Sequence, residues 1–230
     1  PYFSTVAWNA LPLDNTLAVL ANSVFTDYNN GLDNLATTGM ISVSERDLRK
    51  INFTAGQNGF VIDDKTLTDL SEMGLPSIRQ TNIEDKVALT TGQILGLSPG
   101  EDPTLIYGVT VPIGDSYILL PSEQEIMEEK INAFNQIITT TISANEDRLV
   151  LVDTKNLLER IGQSTETANG IALSNSISPP YGVFSTDGVH PNARGSAVVA
   201  NHFIEAINDK WNSTIPKANP NAYIGNDLPR

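Results

Sequence analysis

The sequence contains no cysteine and only two histidines, His190 and His202, among its 230 residues. The absence of cysteine excludes a disulfide framework, a thiolate nucleophile and a zinc ribbon. With two histidines a histidine-based metal site is not expected, and nothing in the sequence implies a cofactor. Any chemistry that needs an imidazole base therefore depends on one of these two residues.

Basic residues and long apolar runs are also scarce. The chain has 14 basic against 27 acidic residues, a net charge of -13, which argues against nucleic acid or an anionic membrane as a partner. No apolar run approaches the length that crosses a membrane. The chain opens on Pro1 with neither an initiator methionine nor a signal-like segment, which indicates that a segment was removed or that the chain begins within a longer protein.

The N-terminal half predicts one clear helix followed by irregular structure. Apolar residues recur at helical spacing from Leu17 to Tyr28, with Asp14 or Asn15 as the cap and a stop at 29–31. From about 32 to 112 short apolar pieces alternate with Gly, Asn and Thr, and this range is interpreted as a loop-rich insertion. Strands are predicted within it at 86–90 and 105–110.

Arg79 and Gln80 precede the first of these strands and have two interpretations. They could reach a substrate, or they could bind backbone carbonyls. The structural interpretation of Arg79 is favoured.

The C-terminal half predicts helix, strand and helix in succession. Ser122 and Glu125 form a capping-box pattern before a helix that ends near 141. The apolar run at 149–152 is typical of a parallel strand covered on both faces, and a further helix begins at 156. A polar loop from 162 to 182 follows. This alternation predicts an α/β fold, and the chain is long enough for one domain over 1–230.

The most informative stretch follows that loop and reads F-S-T-D-G-V-H-P-N-A-R-G from Phe184 to Gly195. Asp187 and His190 lie three residues apart at the entrance to a helix whose first turn accommodates Pro191. A carboxylate bound to one ring nitrogen leaves the other as a base for a hydroxyl proton. Alternatively, Asp187 caps the following helix and His190 is an ordinary polar residue.

The D-G-V-H-P-N-A-R-G stretch followed by an apolar helix resembles the last sequence block of the SGNH (GDSL-type) esterases and lipases. The opening residues, the Arg79 region, the 111–123 stretch and the tail from Tyr223 to Pro229 resemble one bacterial subgroup that carries a long insertion before its last helices. The resemblance implies a three-layer α/β/α sandwich of which this chain is the C-terminal part. It also implies that His190 is the catalytic base and Asp187 its orienting carboxylate.

The nucleophilic serine is harder to place. Gly114-Asp115-Ser116 matches the way in which the family presents its serine, but Ser116 is followed by an apolar continuation rather than a helix. No G-x-N-D block, the family's source of an oxyanion donor, lies between Ser116 and Asp187. By the resemblance, the serine and oxyanion blocks would precede Pro1.

The sequence is consistent with three functions. The chain is an ester hydrolase whose serine is supplied by an upstream segment, a non-catalytic binding or structural module of the same fold, or a complete hydrolase that uses Ser116. A small-molecule ester and an N-terminal segment of the same protein are the expected partners. The resemblance further implies an exported bacterial protein, either periplasmic, secreted or lipid-anchored at the cell surface.

Overall fold

The chain forms two units, each with its own buried residues. In this computed structural model, which describes residues 6–168 and 170–226, one unit lies within Tyr2–Glu128 and the other within Glu129–Arg230. We call them the N-terminal unit and the C-terminal unit. The helices are α1 (Asn15–Val24), α2 (Thr26–Thr37), α3 (Val43–Arg49), α4 (Pro121–Ser143), α5 (Thr154–Gly162) and α6 (Ala193–Trp211).

The strands are short and pair in antiparallel two-stranded sheets. The pairs are β1 (Leu11–Leu13) with β2 (Gly56–Asn58), β3 (Val61–Asp63) with β4 (Ile78–Gln80), β5 (Lys86–Val87) with β6 (Ile118–Leu119), and β7 (Thr167–Ala168) with β8 (Ile171–Ala172). A three-layer sandwich stays a prediction, because the sheets of the described residues are all of this kind.

The buried core of the N-terminal unit includes strand β3 and helix α2. Ile62 pairs with Arg79 of β4 on one side and forms a parallel bridge to Ile113 on the other. Leu32 of α2, Ile62 and Ile113 are fully buried, and each such side chain contributes about 1.5–3 kcal/mol of transfer free energy. The range predicted as a loop-rich insertion therefore supplies much of this core.

The predicted N-terminal helix is present, but it does not stop at 29–31. Asp14, one of the two residues predicted to cap this helix, caps α1 by accepting a hydrogen bond from the Leu17 N–H at 2.8 Å. The chain then turns at Phe25 and continues as α2, with Gly31 inside it. A methyl group at Gly31 would lie 3.1 Å from the Leu75 side chain, so this glycine permits close packing rather than ending a helix.

The predicted strand at 149–152 is wrong, because these residues lie in an irregular segment between α4 and α5. Leu149 and Leu151 are 39% and 44% exposed. A strand requires neighbouring backbone to pair with, and no described strand lies beside this run. The apolar sequence is therefore left without the two covered faces that it predicts.

The predicted strand at 105–110 is also wrong, and that at 86–90 is shorter than predicted. In the first, the Ile106 carbonyl accepts hydrogen bonds from the N–H groups of Val109 and Val111, which closes a turn through Gly108 at φ +81°. In the second, β5 holds only Lys86–Val87 before a 3-10 turn. Local turn formation replaces extended pairing in both places.

Helix α4 has the predicted extent but a different cap. Glu123 accepts a hydrogen bond from the Leu120 N–H at 2.8 Å, and the predicted Ser122–Glu125 capping box is not formed. None of the residues of α4 is buried, and five of its large apolar side chains are exposed: Ile126, Ile131, Phe134, Ile137 and Ile138.

The C-terminal unit is built on α5 and α6, which pack against each other. Asp153 caps α5 through the Asn156 N–H at 2.9 Å. Leu157 and Ile161 of α5 and Ala197 and Val198 of α6 are buried. This packing holds α6, and the loop that carries the candidate site comes directly before this helix. Within the described parts of both units, no helix combines the length and apolarity needed to cross a membrane.

Candidate active site

The side chains of Asp187 and His190 meet, as their spacing predicts. The Nδ1 atom of His190 lies 2.6 Å from Oδ2 of Asp187. The contact joins two residues of one short loop. It aligns an imidazole ring with a carboxylate.

Asp187 is surrounded by hydrogen-bond donors from its own loop. Its Oδ1 atom accepts from the Ser185 hydroxyl at 2.5 Å and from the N–H groups of Val189 and His190 at 2.9 and 3.0 Å. The Ser185 hydroxyl, the His190 ring and these backbone N–H groups hold the pKa of Asp187 well below its usual range.

The ionisation state of Asp187 assigns the proton on His190. An ionised carboxylate only accepts hydrogen bonds, so Nδ1 of the ring carries the proton. In a neutral imidazole the other nitrogen, Nε2, then has a free lone pair. Among the described residues Nε2 has no hydrogen-bond partner.

A tight turn brings the two residues together. The Gly188 N–H donates to the Ser185 carbonyl at 2.9 Å, and Gly188 adopts φ +71°, which a glycine reaches without a steric penalty. The Ser185 N–H donates to the His190 carbonyl at 2.7 Å and closes the loop. Phe184 and Pro191 form an antiparallel bridge at its base.

The helix that follows is capped by Asn192 and not by Asp187. The Asn192 side chain accepts a hydrogen bond from the Gly195 N–H at 2.9 Å, and α6 begins at Ala193. The sequence predicts Pro191 in the first helical turn. In the structure Pro191 instead precedes the cap. The interpretation of Asp187 as a helix cap is wrong.

The two side chains are open to solvent. Those of His190 and Asp187 are 78% and 50% exposed. A base in this position is within reach of a group that approaches from outside the loop.

Two serines, Ser116 and Ser185, are compared as candidate nucleophiles. Ser116 is exposed in a 3-10 turn (Asp115–Tyr117) of the N-terminal unit and is followed by β6, not by a helix. A strand-to-helix elbow is therefore not formed there. Ser185 contacts the Asp187–His190 pair, which we call the dyad, but its hydroxyl donates to Asp187 and is not bonded to His190.

Arg79 has a structural role, as the sequence analysis predicts. It is 2% exposed and forms ion pairs with Asp64 at 2.6 Å and Asp85 at 2.7 Å. Burial raises the pKa of Asp64, but hydrogen bonds from Thr66 and Arg79 outweigh this and hold it below the usual range. Gln80 donates to the Gly59 carbonyl at 2.8 Å and accepts from the Asn52 N–H at 2.9 Å.

His202 bonds to a different part of the C-terminal unit from Asp187 and His190. Its Nε2 atom is 3.1 Å from the Asp153 carbonyl oxygen, near the start of α5. This contact links α6 to the α5 cap and involves no carboxylate.

Three supporting residues were missed by the sequence analysis: Ser185, Asn192 and Asn226. The S-x-D spacing of Ser185 and Asp187 and the N-A-R-G pattern after Pro191 are local signals that predict a side-chain turn and a helix cap. Asn226 donates to the Phe184 carbonyl at 2.6 Å across 42 residues, and no sequence pattern indicates that contact.

A family-level comparison agrees with the motif. The sequence model of GDSL-like Lipase/Acylhydrolase matches residues 62–203, which is more than half of the 230-residue chain. The matched range includes Asp187 and His190 and ends before the tail that carries Asn226. No curated protein and no solved structure matches the chain.

Proposed function

Because the chain belongs to the GDSL-like lipase/acylhydrolase family, whose members are hydrolases that act on esters, we propose that it provides the Asp–His half of a serine esterase site. In this proposal His190 is the base and Asp187 its orienting carboxylate. The observation that carries it is the 2.6 Å contact between His190 Nδ1 and the ionised Asp187.

The geometry suits the two proton transfers of acyl transfer. A serine oxygen attacks the ester carbonyl carbon while its proton passes to Nε2 of His190. The resulting imidazolium is stabilised by Asp187 and returns the proton to the leaving alcohol. Water then takes the place of the serine hydroxyl and hydrolyses the acyl-enzyme by the same two transfers.

We propose that the nucleophilic serine comes from a segment of the same protein that precedes Pro1. Ser116 lacks the elbow geometry, and the Ser185 hydroxyl is bound to the carboxylate of the dyad. The oxyanion donors are proposed to come from that segment as well. Gly225-Asn226-Asp227 follows His190 and is similar to the family's G-x-N-D block without its spacer residue. The amide of Asn226, however, binds backbone carbonyls.

The packing of this chain supports the same proposal. An SGNH α/β fold is implied by the family, and its finer form, a three-layer sandwich, needs a central sheet between helices. Helix α4 has no buried residue, and the apolar segment at 149–152 has no strand beside it among the described residues. A sheet contributed by the upstream segment would cover these apolar groups.

A non-catalytic module of the same fold is the second candidate. The observation that favours it is the 78% exposure of the His190 side chain, because a catalytic base normally faces a partly enclosed site. In that case the dyad only stabilises its own loop.

Ester hydrolysis by the longest natural form of the protein separates these candidates. We expect turnover of short-chain p-nitrophenyl esters, covalent labelling by a fluorophosphonate, and loss of both on replacement of His190. Peptide mapping of the label identifies the serine: a label upstream of Pro1 supports the proposal, whereas a label on Ser116 supports a complete hydrolase. An unlabelled and inactive natural protein would support the non-catalytic module.

A further inference from the structure

The base of the Asp187–His190 loop is defined by the backbone around Phe184. Phe184 forms the bridge to Pro191, and the next residue, Ser185, bonds to the His190 carbonyl. The Asn192 N–H donates to the Val183 carbonyl at 2.9 Å on the other side of that bridge. A shift of Phe184 would therefore move both ends of the loop that presents His190.

The Phe184 carbonyl oxygen is held by two side-chain amides. Asn192 donates to it at 3.1 Å and Asn226 at 2.6 Å. A carbonyl oxygen has two lone pairs, so both of its acceptor positions are occupied. The Asn226 amide also donates to the Ile177 carbonyl at 2.7 Å, which uses both of its N–H donors and ties the segment before the loop to the tail.

The tail itself is anchored next to the first turn of α6. Arg194 donates to the Tyr223 carbonyl at 3.4 Å. A methyl group at Gly225 would lie 3.7 Å from both the Asn192 amide nitrogen and the Gly182 carbonyl oxygen, so the tail backbone lies against these groups. The anchoring contacts all fall within the C-terminal unit.

We propose that Asn226 is a positioning residue for His190, acting through Phe184 and the base of the loop. Asn226 lies outside the family-matched range of 62–203, so the C-terminal tail would be a part of the site that the family motif does not include. The inference rests on the proposed role of His190 as the base, but its test does not require a nucleophile or turnover.

Nuclear magnetic resonance of the two imidazole rings tests the proposal in the 230-residue chain. With only His190 and His202 present, His190→Ala assigns both rings, and long-range ¹H–¹⁵N spectra report which ring nitrogen carries the proton. Asn226→Ala removes the amide, and Asn226→Asp removes its donors at nearly constant volume. The control is Asn221→Ala, which removes a tail amide that bonds to Ala168 at 3.2 Å instead of to Phe184.

In both Asn226 variants we expect the ratio of the Nδ1–H to the Nε2–H form of His190 to fall about fivefold to tenfold, the equivalent of one neutral hydrogen bond. His202 should be unchanged in both, and Asn221→Ala should leave both rings unchanged. An unaltered His190 ratio in the two Asn226 variants overturns the proposal. So does an equal disturbance of His190 and His202 in both, since that result assigns Asn226 to general stability.

A separate measurement keeps this result distinct from the proposed hydrolase function. If His190→Ala retains ester hydrolysis in the natural protein while the Asn226 variants alter the His190 ring, the positioning contact stands and the catalytic assignment fails. The reverse pattern retains the base and removes Asn226 from the site.

Discussion

Gly195 packs directly against the carbonyl oxygen of Val183, and a methyl group added to this glycine would lie 2.1 Å from that oxygen. No rotamer change relieves such a contact, because both partners are backbone. Gly195 also donates its N–H to the Asn192 cap. The last glycine of the D-G-V-H-P-N-A-R-G stretch therefore sets how closely α6 approaches the strand-like segment before the dyad.

Gly195→Ala should destabilise the C-terminal unit by about 1–3 kcal/mol and displace the dyad loop, because the added methyl group overpacks a backbone contact. Urea unfolding followed by circular dichroism measures the first effect. Gly162→Ala is the matched control, since a methyl group there meets nothing within 4 Å. Equal midpoints for both variants would contradict the packing argument.

Substitution of the dyad should show unequal losses of ester hydrolysis in an active form of the protein. His190→Ala should lower kcat on the order of a millionfold and Asp187→Asn on the order of ten-thousandfold, because the imidazole moves the proton and the carboxylate only orients and stabilises it. His202→Ala, the control, should retain activity. Inactivation by His202→Ala together with retained activity in His190→Ala would reverse the assignment.

The rate should rise from acidic to neutral pH and then level off. Only the neutral imidazole accepts the serine proton, and histidine changes charge between about pH 5 and 8. Asp187 has a lowered pKa, so it is ionised throughout this window and adds no second inflection. Initial rates under conditions where the chemical step limits turnover measure this. A profile that is flat from pH 4 to 8 would falsify the imidazole base.

Ser185→Ala should reduce the rate by about tenfold at most, because it removes one hydrogen bond to an exposed carboxylate and not a nucleophile. The pKa of Asp187 should rise, since the hydrogen bond from the Ser185 hydroxyl is the largest contribution to its low value. A fluorophosphonate should label this variant as fully as the unaltered protein. Complete loss of labelling would instead identify Ser185 as the nucleophile.

Asp64→Asn should destabilise the N-terminal unit by about 3–5 kcal/mol, because it leaves the buried Arg79 with one of its two carboxylates. Asp64 has a lowered pKa in the folded state. Its stabilisation is therefore present above the ordinary aspartate pKa and is lost as the pH falls through the lower folded value.

The adjacent Asp63 is the control for this prediction. Burial raises its pKa, so its charged form is disfavoured on folding, and Asp63→Asn should be neutral or slightly stabilising at pH 7. Urea midpoints at pH 7 and pH 3 compare the two variants. A loss of stability in Asp63→Asn that matches Asp64→Asn would refute the ion-pair explanation.

The contacts that sequence reasoning predicted correctly are local. Asp187 and His190 are three residues apart, and so are Asp14 and Leu17, whose N–H donates to the Asp14 cap. Such pairs depend on the spacing of side chains along one turn of chain. That spacing is visible in the sequence.

Only the tertiary structure decided the long-range partners and the fate of the apolar segments. Arg79 selects Asp64 and Asp85 over a substrate because the folded chain buries all three together. Asn226 reaches Phe184 across 42 residues, at a position that no periodicity indicates. The apolar run at 149–152 has the composition of a buried strand, but a strand exists only where neighbouring backbone accepts and donates its hydrogen bonds, and composition cannot supply those neighbours.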